Sequence, residues 1–293
     1  MIIVTGTKRS GTSMWMQILQ GAGFKVFGNA FPKDWGETIR EANPEGFYES
    51  HLRNGIHFQT NPHPKTGAYI HPADSRALVV KVFVPGLIKS DLAYIDRVLA
   101  SMRHWREYHG SLTRLYTLER ENRSRLREKE MPELRHVSPA LEWWAENYSL
   151  LSDVIQRRLP IHMVAYESVL RDPEPVIREV LEWIGDGDLE GALAAVKPQL
   201  RTHEARALPE VPDIEPEIAA VFDELYARVR DRRGVDGDFI DVLNETNDKL
   251  AERIDAQVAE VKEQRRRLRR ERMERAAAEK RSDESAVGAP DAS

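Results

Sequence analysis

The first fifteen residues constrain this chain most. Ile2, Ile3 and Val4 form a short apolar run, long enough for a buried parallel strand. Thr5-Gly6-Thr7-Lys8-Arg9-Ser10-Gly11-Thr12-Ser13 follows, and then a helical pattern with Met14, Ile18 and Leu19 on one face. Strand, glycine-bearing loop and helix N-terminus together make an anion cradle, because successive backbone N–H groups and the positive end of the helix dipole converge on one point. The nucleoside-triphosphate loop reads G-x-x-x-x-G-K-S/T. Gly6 and Gly11 keep its glycine spacing, but Thr12 stands where its lysine belongs, and the positive charge sits upstream at Lys8 and Arg9. Such a loop suits a terminal diphosphate-like group without a triphosphate tail.

Totals exclude several classes. The 293 residues allow one large α/β domain plus an extension. A formal net charge of -5 argues against a general nucleic-acid binder. With no cysteine there is no disulfide, thiolate metal site or cysteine nucleophile. No run approaches the ~20 apolar residues of a membrane span. A strand that begins at Ile2 leaves no room for a signal peptide, so a cytoplasmic protein is expected.

Arg9-Ser10-Gly11-Thr12-Ser13 resembles the signature of sulfotransferases that use 3′-phosphoadenosine 5′-phosphosulfate (PAPS), Lys/Arg-Ser-Gly-Thr-Ser/Thr. Other segments extend the resemblance over roughly residues 1–205. Asn43-Pro44-Glu45-Gly46-Phe47-Tyr48-Glu49 is similar to a segment that follows the first helix in bacterial and glycan sulfotransferases. It lies within residues 28–75, a long irregular stretch of the kind that is usually functional. Val79-Val80-Lys81-Val82-Phe83-Val84-Pro85 resembles the strand whose lysine contacts the sulfuryl group in the cytosolic members. Those members carry a histidine as general base where this chain has Phe83. A lysine amid apolar residues is costly unless paired, which by itself puts Lys81 where the strand meets a site.

Residues 96–111 read in two registers, the helical one starting from Ser90. As a helix, Leu92, Ile95, Leu99, Met102 and Trp105 share a face. As a strand over Val98–Met102, Arg103 ends it and a helix follows. The strand reading separates Arg103 from Ser111 by eight residues, the spacing of the family's arginine and serine that grip the 3′-phosphate. Arg97 and Ser101, four apart, are the rival pair and fit a helix face. We prefer Arg103 and Ser111: an arginine fork and a short hydroxyl suit a phosphate dianion.

Residues 112–136 read as an exposed helix. Ser138-Pro139 opens another, on which Trp143, Trp144 and Tyr148 serve either core packing, the preferred reading, or an acceptor wall. Leu159 to Glu167 is a further strand, and its continuation through Tyr166-Glu167-Ser168 to Asp172-Pro173-Glu174 and Trp183-Ile184-Gly185 again resembles the family. His162, inside that strand, reads as a core histidine. Arg201 occupies the place of a late basic segment that touches the nucleotide.

The resemblance implies an α/β fold, a central parallel sheet flanked by helices in the P-loop-like sulfotransferase manner, with a long C-terminal helical extension. Residues 1–208 would form the sulfotransferase domain, 209–235 a linker and amphipathic helix, 236–281 a long charged helix, and 282–293 a disordered tail. Ile240, Leu243, Leu250, Ile254, Val261 and Leu268 repeat at heptad-like spacing in the long helix, which allows a weak coiled coil and a homodimer. The implied reaction moves a sulfuryl group from PAPS, without a metal, to a hydroxyl or amine of a small-molecule or carbohydrate acceptor. Lys81 and Arg9 would offset charge on the leaving phosphate. Lys8, Arg9, Ser10, Gly11, Thr12 and Ser13 would hold the 5′-phosphate, with Arg103, Ser111 and Arg201 on the rest of the nucleotide. Glu49 is the first candidate base and His51 the second. An ATP-dependent kinase and a non-catalytic PAPS-binding scaffold are the alternatives.

Overall fold

The computed structural model describes residues 1–31, 46–125, 134–197 and 211–287. Strands β1 (Ile2–Thr5), β2 (Lys25–Phe27), β3 (Leu78–Lys81), β4 (Arg97–Met102) and β5 (Ile161–Ala165) form one sheet, all pairs parallel, in the order β2-β3-β1-β4-β5. The helices are α1 (Thr12–Gly21), α2 (Pro72–Ser75), α3 (Val84–Lys89), α4 (Trp105–Arg125), α5 (Pro139–Arg157), α6 (Tyr166–Arg171), α7 (Pro173–Ile184), α8 (Leu189–Ala194), α9 (Pro216–Arg230) and α10 (Gly237–Val287). This is the α/β architecture with a parallel central sheet that the sequence implies.

Residues 90–105 take the strand register. Leu92–Tyr94 is a single 3-10 turn, β4 ends at Met102, and α4 opens at Trp105. The reason is two-sided burial: Val98 and Ala100 enter one core and Leu99 the other, with β1 and β5 on either edge. A helix would have buried one stripe only.

The sheet separates two apolar layers. Ile2, Val4, Val79 and Leu99 pack against Trp15, Ile18 and Leu19 of α1 and Ile177 and Val180 of α7. Ile3, Val80, Val98 and Ala100 pack against Leu87 of α3 and Leu150 and Val154 of α5. A third core lies beyond the strand ends. There Trp105 and Tyr108 of α4, Trp143 and Trp144 of α5, and Phe222 and Leu225 of α9 meet Phe239, Leu243 and Leu250 of α10. Trp143 and Trp144 are fully buried in it, which is the packing role preferred for them.

Helix α9 is therefore part of the body that carries the site. Its Asp223 accepts hydrogen bonds from Trp105 Nε1 at 2.6 Å and Arg106 Nη1 at 2.7 Å. Its Tyr226 hydroxyl donates to Glu167. Both contacts fall just past the carboxyl ends of β4 and β5. The apolar seam of α10 is used by its own chain at Leu243 and Leu250, and the helix continues to Val287, past the expected end at 281. Residues 288–293 of the expected tail lie outside the described residues, as does Arg201. No helix among the described residues is long and apolar enough to cross a membrane.

Candidate active site

The glycine loop sits in the crevice at the carboxyl ends of β1, β3 and β4, where the chain leaves β1 for β2 and β3 on one side and β4 and β5 on the other. Open parallel sheets bind ligands at such a switch point. Two glycines make the loop's path possible. Gly6 has φ +145°, and a Cβ there would lie 2.3 Å from the Ser101 carbonyl oxygen. Gly11, the residue before α1, has φ +91°, and a Cβ there would lie 2.4 Å from the Tyr166 ring. The loop is tied internally by Ser10 Oγ, which donates to the Thr7 carbonyl at 2.7 Å, and to β4 by Ser101 Oγ, which donates to the Ser10 carbonyl at 2.5 Å. Thr7 is fully buried in the loop, and its hydroxyl has no hydrogen-bond partner among the described residues. A buried polar atom left this way is costly and fits a ligand oxygen.

One side of the loop is cationic. Arg103, at the end of β4, is buried, and its Nη1 donates to the Arg9 carbonyl at 3.3 Å. Arg9 Nε donates to Ser111 Oγ at 3.4 Å, so Arg9, Arg103 and Ser111 form one cluster. The eight-residue spacing of Arg103 and Ser111 does bring them to the same place. Burial lowers the Arg9 pKa, and the neighbouring Arg103 charge lowers it further. Two guanidinium groups beside an anion cradle attract negative charge.

Two carboxylates partly supply it. Glu107 accepts from Arg103 at 3.3 Å, and Glu167 Oε1 lies 3.9 Å from Arg103 Nε. Burial pushes the Glu167 carboxyl up to about 7; the Tyr226 bond pulls the other way, and the Glu107 charge adds to the rise. The Tyr166 ring lies under the Arg103 guanidinium, 5.1 Å from the ring centre. Tyr166 and Glu167 belong to a segment singled out in the sequence, yet their contact with Arg103 carried no sequence signal beyond that resemblance.

The other side of the loop is an ion-pair relay. Lys81, at the end of β3, is 5% exposed. Its Nζ donates to the Phe47 carbonyl at 3.0 Å, Ser13 Oγ at 3.2 Å and Glu49 Oε1 at 3.5 Å. Burial lowers its pKa, and Glu49 opposes that shift. Glu49, also buried, pairs through its second oxygen with Arg53 Nη1 at 2.7 Å. Phe83, where the resembled enzymes have histidine, lies just past the end of β3 and begins the turn into α3.

Lys8 points elsewhere. Its Nζ pairs with Glu142 Oε1 on α5 at 2.8 Å, and Glu142 also accepts from the Tyr116 hydroxyl. Glu146, one turn along, has its carboxyl pushed up to about 7 by burial and by Glu142. Glu142 and Glu146 are an i, i+4 pair on α5, and nothing in the sequence linked them to Lys8. Arg9, Ser10, Gly11, Thr12, Ser13, Lys81, Glu49, Arg103 and Ser111 thus gather around one crevice, with Lys8 at its rim. Among the described residues no group of three His, Asp or Glu side chains could hold a metal ion.

Similar solved structures are the sulfotransferase domain from the Synechococcus PCC 7002 olefin synthase and the sulfotransferase from Alicyclobacillus acidocaldarius. The first is 12% identical with a TM-score of 0.40, covering 78% of this chain and 94% of that one. The second is 16% identical with a TM-score of 0.38, covering 78% and 93%. No family model matches the sequence, and no curated protein matches it.

Proposed function

We propose that the protein is a sulfotransferase that moves a sulfuryl group from PAPS to a hydroxyl or amine. The observation that carries this reading is the convergence of Arg9, Arg103 and Ser111 on a glycine loop that lacks the triphosphate-binding lysine, with Lys81 on the loop's other side. Phosphates at both ends of an adenosine bisphosphate match those two poles, and the orphaned Thr7 hydroxyl fits the same anion.

In this reading PAPS supplies a sulfuryl group on a phosphosulfate anhydride. Backbone N–H groups of Ser10, Gly11, Thr12 and Ser13, with the Thr12 and Ser13 hydroxyls, hold the 5′-phosphate at the start of α1. Arg103 and Ser111 read the 3′-phosphate, and Arg201 is assigned to the nucleotide with them. Arg9 and Lys81 offset the charge that develops on the departing phosphate, with Lys8 available once it leaves Glu142. Glu49 takes the acceptor's proton. When Lys81 turns to the phosphate it leaves Glu49, which stays paired with Arg53 through its other oxygen.

Calorimetric titration tests this reading. Adenosine 3′,5′-bisphosphate should bind in the micromolar range and ATP with magnesium should not. Binding of ATP alone would make the protein a kinase.

A further inference from the structure

A cleft of about 550 Å³ opens beside the relay, lined among the described residues by Glu49, Arg53, Phe27, His51, Asn54 and His63, with Gly28, Asn29 and Ser50. Its size falls in the range of small-ligand sites, roughly 300–1,000 Å³, but such sites are usually walled by apolar side chains. Here Phe27 is the one apolar side chain in the described lining, and the rest carry hydrogen-bonding groups or a bare backbone.

The cleft is also preorganised. Backbone N–H groups of Lys65 and Thr66 both donate to His63 Nδ1 at 3.1 Å, so the neutral ring carries its proton on Nε2. The His51 ring meets the His63 ring edge-on at 4.2 Å and the Phe27 ring at 5.7 Å. Burial, and then His63, lowers the His51 pKa. Asn29 N donates to the Glu49 carbonyl at 3.2 Å and closes the near wall. Near His63 in the chain, the Asn61 amide donates to the Ile70 carbonyl and the Tyr94 hydroxyl, each at 2.9 Å.

We infer that this cleft is the acceptor site and that its acceptor is a polyhydroxylated sugar ring, because Glu49 joins it to Lys81 and its side chains offer donors and acceptors on several sides of one aromatic ring. The inference rests on the sulfotransferase reading. Vicinal hydroxyls each donate and accept, which matches carboxylate, guanidinium, amide and imidazole groups set around one space. A phenol or sterol brings one or few hydroxyls and would engage fewer of those groups. A sugar hydroxyl beside Glu49 would stand where its proton can be taken.

Saturation-transfer NMR tests this with methyl glycosides of glucose, galactose, mannose and N-acetylglucosamine, against 4-nitrophenol, with and without adenosine 3′,5′-bisphosphate. At least one glycoside should bind while the phenol does not. His63→Ala and the exposed-site variant Asn54→Ala should each weaken glycoside binding by roughly tenfold, the loss of one good hydrogen bond, while bisphosphate affinity is unchanged. Binding of the phenol with no glycoside signal, or glycoside binding indifferent to both variants, would overturn the assignment. Failure of the bisphosphate to bind would instead overturn the donor reading.

Discussion

Arg9 and Arg103 leave the ends of different strands, yet Arg103 donates to the Arg9 carbonyl, and its charge depresses the Arg9 pKa second only to burial. Like charges this close are held together at a cost that a bound anion relieves. Inorganic phosphate at ten times its dissociation constant should therefore stabilise the protein by about 1.4 kcal/mol and raise Tm by roughly 2–3 °C. Differential scanning fluorimetry reads this directly. Arg9→Ala should lose the shift; an unchanged shift would place the anion elsewhere.

Gly11 and Tyr166 are a packing pair. A methyl group on Gly11 meets the Tyr166 ring at 2.4 Å, on a backbone whose φ of +91° disfavours side chains. Gly11→Ala should cost about 3 kcal/mol by urea denaturation, from strain and overpacking together. Adding Tyr166→Ala should recover the overpacking share but not the strain. No recovery would mean that the backbone alone sets the cost.

How far the sequence could be read follows from how local each feature is. Strands β1, β3 and β5 were legible because apolar runs bounded by glycine, proline or charge need no partner to be recognised, whereas β4 read equally as a helix face until its neighbours on both sides were known. Arg103 and Ser111 were found through their eight-residue separation, which matches that of the resembled family. Lys81 stood out as a charge inside an apolar run. Glu49 was singled out as the candidate base through the resemblance, but its pairing with Lys81 and Arg53 arises only through folding. Glu107 and Glu167 around Arg103, and Glu142 on Lys8, come from separate elements and left no periodic trace. The return of α9, with Phe222 stacked on Trp144 at 4.8 Å, is set by long-range packing that a proline-rich linker conceals.

The Glu49–Lys81 pair predicts unequal losses. Glu49→Ala leaves Lys81 buried with its charge uncompensated, which should cost roughly 3–5 kcal/mol. Lys81→Ala leaves Glu49 still paired with Arg53 and should cost less. Glu49→Gln keeps the shape and should abolish turnover while bisphosphate affinity stays near that of the parent. Chemical denaturation and titration of the three variants check the order; full activity in Glu49→Gln would remove it as the base.

Glu146 predicts a pH dependence. Its carboxyl is raised to about 7 in the folded chain from an ordinary value of 4.5. A group raised on folding contributes fully below its unfolded pKa, and the contribution is lost as pH rises through about 7. Glu146→Gln should thus change stability little at pH 5 and raise it at pH 8, by on the order of 2 kcal/mol. Thermal unfolding at the two pH values checks the sign, and an equal effect at both would contradict it.

The most direct test compares adenosine 3′,5′-bisphosphate with adenosine 5′-monophosphate, which lacks only the 3′-phosphate, by calorimetry on the parent and on Arg103→Ala. The account predicts that the parent prefers the bisphosphate by roughly 30-fold or more, the ~2 kcal/mol of a charge-assisted contact. Arg103→Ala should bring the two nucleotides close to parity with little change for the monophosphate. Equal binding of both by the parent, or a preference that survives in Arg103→Ala, would contradict it.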